Sequence, residues 1–113
     1  MPNDFGVMKY RDGSSYNGQW EVGKRHGNGI MHYKNGDIYE GEWVNDKRHG
    51  YGIFNILDRG VYEGEWEFDK MSGQGILSHV VNGQRMQFRG TWQNGEQVEG
   101  KSENMELIRD LKV

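Results

Sequence analysis

Three groups of residues have types and spacings that could support chemistry. His26 and His49 each end a Lys-Arg-His triplet, and histidine is a common metal ligand. A zinc site needs three or four converging ligands, however, and Ser72 stands where a third histidine would fall. The chain has no cysteine, which excludes thiolate ligands and thiol nucleophiles. We therefore predict no metal site.

The second group is Gly95–Ser102, which fits the string of a phosphate-binding loop. A working loop of this kind joins a parallel strand to a helix, and later strands supply an acid that holds magnesium. Here Glu96 and Glu99 would face the phosphates. We predict that the chain binds no nucleotide and no other cofactor. We also predict no enzyme activity, because no serine or threonine stands near a histidine and a carboxylate at a spacing typical of a catalytic site.

The third group is a basic row at equivalent positions of the sequence. A line of basic turns could contact anionic lipid headgroups. The predicted contacts are Lys24, Arg25, Lys47, Arg48 and Lys70. The alternative is a set of solvated turns, which the neighbouring acidic ladder and the net charge of −3 favour. That ladder, formed by Glu40, Glu42, Glu63, Glu65 and Glu67, is itself a candidate site for a basic partner segment. The net charge also argues against nucleic-acid binding.

These groups lie in a repeated framework. The motif Tyr-x-Gly-x-Trp begins at Tyr16, Tyr39 and Tyr62, and a variant begins at Phe88. The first three copies start 23 residues apart, each followed by Gly-x-Gly-Ile, and the fourth starts 26 residues after the third. We predict one domain, 1–101, that comprises a half-repeat at 4–15, repeats at 16–38, 39–61 and 62–87, and a partial repeat at 88–100.

Rings and glycines alternate within each motif, which is the two-residue period of a β-strand. The glycines of the following strand carry no side chains, so the rings can lie against its backbone. Val22–His26, Asn45–His49, Asn35-Gly36 and Asn82-Gly83 are predicted turns, the last two with a strong hairpin dipeptide. The predicted fold is all-β: an elongated single-layer antiparallel sheet of consecutive β-hairpins, with a short C-terminal helix.

The Tyr-x-Gly-x-Trp motif, the His-Gly-x-Gly that follows it and the 23-residue step resemble the membrane occupation and recognition nexus (MORN) repeat family. The resemblance covers about Asp4 to Gly95. It departs where Asp46 and Asp69 replace the turn glycine represented by Gly23, and where three extra residues follow Val80. The resemblance implies a non-catalytic scaffold for protein–protein interaction in a ciliary, axonemal or cytoskeletal assembly. It leaves a phosphoinositide-binding membrane tether as the alternative.

The aromatic rows are predicted to form a groove that receives a peptide or helix of another protein, because one sheet cannot cover both of its faces. The alternative is that the rings are the core of the fold. The predicted groove consists of Tyr16, Trp20, Tyr39, Trp43, Tyr62, Trp66, Phe88 and Trp92.

The two ends of the array offer further contacts. Met105, Ile108 and Leu111 have helical spacing, so 102–113 is predicted to form a helix that caps the sheet or docks elsewhere. Phe5–Tyr10 is predicted to be an exposed edge strand that can pair with another chain or a second copy. The absence of cysteine and of an export signal predicts a cytoplasmic location.

Overall fold

The computed structural model describes residues 4–104, which form one antiparallel sheet of nine strands in sequence order. The strands are β1 (Asp4–Lys9), β2 (Ser15–Glu21), β3 (Lys24–His32), β4 (Ile38–Val44), β5 (Lys47–Ile56), β6 (Gly60–Glu67), β7 (Lys70–Val81), β8 (Gln84–Gln93) and β9 (Glu96–Asn104). We call β2–β3, β4–β5, β6–β7 and β8–β9 hairpins 1 to 4. The predicted all-β sheet of consecutive hairpins is confirmed, and it is elongated, 51 × 26 × 25 Å.

A row of nine glycines, one from each strand, crosses the whole sheet. Each faces a glycine of the neighbouring strand, so two backbones stand opposite each other without side chains. The row consists of Gly6, Gly18, Gly29, Gly41, Gly52, Gly64, Gly75, Gly90 and Gly100. A Cβ at Gly52 would overlap the ring of Tyr39, and a Cβ at Gly75 would overlap the ring of Tyr62. The prediction that glycines make room for the rings is therefore confirmed.

Two-residue turns close all four hairpins and also join β7 to β8. In each turn both residues have positive φ, as in the type I′ turn that matches the twist of paired strands. The turns are Val22-Gly23, Asn45-Asp46, Phe68-Asp69, Asn82-Gly83 and Asn94-Gly95. The predicted turns Val22–His26 and Asn45–His49 were too long, because two such residues suffice to reverse the chain. Lys24 and Lys47 already begin β3 and β5.

The Asn35-Gly36 dipeptide lies in a wider loop. The N–H of Tyr33 donates to the carbonyl oxygen of Asp37 at 2.9 Å, and the N–H of Gly36 donates to Tyr33 O at 3.0 Å. Gly36 has a φ of 101°, whereas Asn35 is not among the described residues with positive φ. The turn prediction is correct in position but not in type.

The last hairpin is longer than the sequence pattern indicates. Gly100 of β9 faces Gly90 of β8, so β9 completes the fourth repeat although it carries only one glycine of the usual pair. In the string Gly95–Ser102, which fits a phosphate-binding loop, Gly95 is a turn residue and the other residues belong to strand β9. Residues 102–104 of the predicted helix belong to β9, and the rest of it, with Met105, Ile108 and Leu111, lies outside the described residues.

Candidate functional site

The rings of the repeats form one continuous layer on a face of the sheet, which we call the aromatic face. Trp43 packs edge-on against Tyr39 and Tyr16, with ring centroids 5.1 and 5.4 Å apart. Trp66 contacts Tyr62 and Tyr39 in the same way, at 5.4 and 5.3 Å. Trp43, Trp66 and Trp92 each bridge two hairpins in this way, in the edge-to-face geometry that aromatic pairs prefer.

The polar atoms of these rings are satisfied by backbone. The hydroxyl of Tyr39 donates to the carbonyl oxygen of Glu42 at 2.9 Å, and Trp43 Nε1 donates to Gly29 O at 3.2 Å. The corresponding bonds recur in hairpins 1 and 3. Burial raises the pKa of Tyr16 and of Tyr62 to about 12.

The aromatic face is the core of the protein. Tyr16, Tyr39 and Tyr62 are fully buried, and Trp43, Trp66 and Trp92 are at most 4% exposed. The prediction of an open groove is wrong for these six residues, because each ring packs edge-on against rings of its own strand and of a neighbouring hairpin. Trp20 and Phe88 are partly buried and pack against the same core.

Two arginines cover the outer side of the ring layer. The guanidinium of Arg48 lies 4.6 Å from the ring centroid of Trp66, and its Nε is 3.2 Å from Asp69 Oδ1. Asp69 Oδ1 also accepts the N–H of Arg48 at 2.8 Å. Arg25 makes the same contacts with Trp43 and Asp46. We call each pair an Arg-Asp rung, because it joins one hairpin to the turn of the next.

The rung alters the ionisation of its carboxylate. Burial opposes the ionisation of Asp46, but the hydrogen bonds and positive charge of Arg25 outweigh it and lower the pKa of Asp46 below 3.8. The backbone N–H and the Nε of Arg25 both donate to Asp46 Oδ1. Hydrogen bonds to an ionised carboxylate are stronger than those between neutral groups.

The predicted basic row does not form a continuous cationic surface. Arg25 and Arg48 are directed to the ring layer, since they lie within β3 and β5 rather than in turns. Lys24 and Lys70 are exposed, and each stands opposite a glutamate, Glu21 or Glu67, in the strand register. Only Lys47 has an apolar residue, Val44, opposite it. Acidic residues therefore stand beside four of the five predicted contacts, which interrupts the positive charge of the row.

The two histidines of the Lys-Arg-His triplets make contacts within the sheet. His26 Nδ1 accepts the N–H of Asn45 at 3.3 Å, so this side chain bonds the backbone of the next hairpin's turn. The ring of His49 packs against Phe68 at 5.5 Å. Within residues 4–104, no three His, Cys, Asp or Glu side chains are grouped so that they could hold a metal ion.

The face opposite the rings carries two rows of residues that cross the strands. The first row is Asn17, Ile30, Glu40, Ile53, Glu63 and Ile76. The second row is Gln19, Asn28, Glu42, Tyr51, Glu65 and Gln74. We call this surface the glutamate face. Its isoleucines come from the Gly-x-Gly-Ile repeat, and their alternation with the glycines could have placed them opposite the rings from sequence alone.

Two glutamates of the second row have a structural role. The strand register shifts just after the glycine pairs of hairpins 2 and 3. There Glu42 Oε2 accepts the N–H of Tyr51 at 2.9 Å, and Glu65 Oε2 accepts the N–H of Gln74 at 3.0 Å. Gln19 does the same in hairpin 1. All four glutamates of the two rows are exposed, but Glu42 and Glu65 also hold the bulge.

Two cavities lie along the glutamate face. One of about 460 Å³ is lined by Ile30 and Glu40, among others, and one of about 340 Å³ is lined by Glu63 and Ile76. Tyr51 lines both and is 51% exposed. The face is therefore a trough with carboxylates and apolar side chains on its walls.

The edge and one end of the sheet differ from the repeats. Phe5 and Val7 of β1 are 72% and 63% exposed, as expected of an edge strand. The three extra residues lengthen β7 and β8 past the Ile56–Gly60 turn, and a cavity of about 350 Å³ lies between them. His79 lines this cavity, and its Nδ1 has no hydrogen-bond partner within the described part of the chain.

The MORN repeat model matches residues 16–38, 39–55 and 62–84, together more than half of the chain. The protein belongs to the MORN repeat family. Its matched segments begin with hairpins 1, 2 and 3 as the sheet defines them. No curated protein matches this MORN chain. Across residues 4–104 no helix has the length and apolar character needed to cross a membrane.

Proposed function

We propose that this chain is a non-catalytic scaffold that binds other proteins through its glutamate face. MORN repeats commonly mediate protein–protein or membrane interactions. The observation that supports this proposal is the difference between the two faces. The aromatic face is filled by its own rings and arginines, whereas the glutamate face exposes Tyr51 and Ile53 beside Glu40 and Glu63. Interfaces between proteins combine an apolar, often aromatic centre with a polar rim, and Tyr51 and Ile53 with the glutamates around them have this arrangement.

We further propose that the scaffold is a cytoplasmic subunit of a ciliary, axonemal or cytoskeletal assembly. This part rests on the resemblance to repeats in such assemblies. A rigid, elongated sheet with repeated surface features suits a role in spacing partners, since equivalent residues recur every two strands.

A membrane tether is the second candidate, and one observation favours it. Val22 and Phe68 are 90% and 67% exposed at the tips of two turns, with φ of 48° and 49°. The other two-residue turns have asparagine at this position, which tolerates positive φ far better than valine does. If these tips insert into a membrane, Phe68→Asn lowers co-sedimentation with anionic vesicles, whereas Glu40→Lys leaves it no lower.

The scaffold is tested by charge reversal on the glutamate face. The double variant Glu40→Lys/Glu63→Lys is compared with the wild type in quantitative capture of proteins from a native extract. Both residues are exposed, so circular dichroism should show the fold intact. Glu96→Lys, an exposed carboxylate on β9, is the matched control. Proteins retained by the wild type and the control but lost by the double variant support the proposal. An unchanged set of captured proteins contradicts it.

A further inference from the structure

The charges of the glutamate face indicate the charge of its partner. Its two rows carry four carboxylates, from Glu40, Glu42, Glu63 and Glu65, and none of their twelve residues, all of them described, is lysine or arginine. The first row acquires positive charge on β8, where Arg89 follows Ile76 and lines the far end of the smaller cavity, and on β9, where Lys101 follows Arg89. A bound segment is therefore cationic, and it lies over β3 to β7.

The spacing of the carboxylates identifies the conformation of that segment. Glu40 and Glu63 occupy equivalent positions two strands apart, and Glu42 and Glu65 do the same. Neighbouring strands are about 4.8 Å apart, so each acidic position recurs about every 9.6 Å along the sheet. A polyproline II helix has a pitch of about 9.3 Å, with three residues per turn. An extended strand presents side chains on one side about every 6.7 Å, which does not match the spacing of about 9.6 Å between the acidic positions.

The apolar residues of the face suit the same ligand. Tyr51 lies between the two acidic positions and lines both cavities, beside the exposed Ile53. Proline-rich segments in the polyproline II form pack against aromatic and apolar grooves, because their backbone is already ordered before they bind. A tyrosine flanked by carboxylates thus contacts the prolines while the carboxylates contact the cations.

From these three observations we propose that the glutamate face binds a proline-rich segment in the polyproline II conformation with lysine or arginine at every third residue. One basic side chain lies near Glu40 and Glu42, and the next lies one turn away near Glu63 and Glu65. The segment runs along the long axis of the sheet, across the strands. The inference rests on the proposed scaffold function and names the chemistry of its partner.

The experiment uses three synthetic peptides that carry a fluorescent label. The first repeats Lys-Pro-Pro, the second has the same composition with its lysines in adjacent pairs, and the third has glutamine in place of lysine. We expect the first to bind the wild-type chain about tenfold more tightly than either of the others. Its affinity should fall as salt is raised, because the charges are exposed.

Variants of the protein locate the binding. Glu40→Gln/Glu63→Gln should weaken the first peptide by about tenfold and reduce its salt dependence. Glu96→Gln on β9 is the matched control and should bind as the wild type does. Circular dichroism of each variant excludes loss of the sheet as the cause.

The outcomes separate this inference from the scaffold function. Equal binding of the two lysine peptides, or no binding of the first peptide, overturns the polyproline II inference. So does equal binding to the wild type and to Glu40→Gln/Glu63→Gln. In each case the capture experiment with charge-reversal variants still decides whether the glutamate face binds proteins. Loss of capture without peptide binding leaves a scaffold with a different partner chemistry.

Discussion

The joint between hairpins 2 and 3 differs from the joint between hairpins 3 and 4. In the first, Arg48 and Asp69 form a rung over Trp66. In the second, Met71 stands where the arginine would be and Gly95 where the aspartate would be, and only the backbone bond from Gly95 N–H to Met71 O, 2.9 Å, remains of the rung. The fourth hairpin is therefore held by its backbone ladder and its rings.

This difference explains an irregularity of the sequence. Asp46 and Asp69 replace the turn glycine wherever the preceding hairpin supplies an arginine. Gly95 follows a hairpin that supplies methionine instead, and Gly23 closes the first hairpin, before which no such arginine strand lies in the described sheet. Aspartate in the turn thus serves the contact between hairpins rather than the turn itself.

The largest expected effect comes from the glycine row, which both joints share. In Gly52→Ala the added Cβ collides with the Tyr39 ring, so we expect a loss of about 3 kcal/mol or more. Gly95→Ala has no atom within 4 Å of its Cβ and should cost only about 1 kcal/mol, from its φ of 86°. Urea unfolding measures both, and equal losses would contradict the packing role of the row.

The rung itself should have the next largest effect. Arg48→Met and Asp69→Gly should each cost about 2 kcal/mol, because each leaves a partly buried charge without its partner. The double variant should cost clearly less than the sum, as the coupling of contacting residues requires. In the converse test, Met71→Arg/Gly95→Asp should be about 1 kcal/mol more stable than the sum of its single variants predicts, because the new ion pair offsets the cost of a side chain at the positive φ of Gly95. Strict additivity in the cycle would show that the rung contributes nothing.

The tyrosine hydroxyls provide a third comparison. Tyr39→Phe removes the bond to the carbonyl oxygen of Glu42 and should cost about 1 kcal/mol. Hairpin 4 already has Phe88 at this position, so Phe88→Tyr is the matched gain-of-bond variant and should stabilise the chain slightly. Thermal unfolding of the two variants tests this, and a change of the same sign in both would refute it.

The smallest expected effect is on acid stability. The pKa of Asp46 in the folded chain lies below the unfolded value of 3.8. The stability that its ionised form supplies is therefore present above pH 3.8 and is lost as the pH falls further. Arg25→Met/Asp46→Gly should show a shallower loss of melting temperature than the wild type below that pH. Parallel curves for the two proteins would exclude a contribution from this rung.

The sequence was sufficient to predict the sheet but not what its faces do. Alternation of rings and glycines places Tyr39, Gly41 and Trp43 on one side of a strand, and the repeat extends the same prediction to the other hairpins. The burial of Tyr39 cannot be predicted in the same way, because it depends on the ring of Trp66 in the next hairpin, which packs edge-on against it. No local pattern specifies that contact, so the same row was expected to be open.

The arginines show a second limit. The expected five-residue turn would have left Arg25 and Arg48 in solvent, whereas a two-residue turn makes them part of a strand and directs them to the rings. Val22 and Asn45 show why the sequence does not indicate the two-residue length of these turns. Of the two residues, only Asn45 is of a type that is typical of a type I′ turn. The role of Glu42 was hidden for a related reason, since it depends on a bulge that the glycine pattern does not reveal.

The strict sequence order of the nine strands bears on how the chain acquires its shape. Every ladder joins segments that are adjacent in the chain, so no distant closure has to precede the first stable contacts. A hairpin that leaves the ribosome can dock on its predecessor at once, without waiting for residues still to be synthesised. Assembly can then spread in either direction from whichever hairpin forms first, and a chain stopped between repeats would be a shorter working sheet.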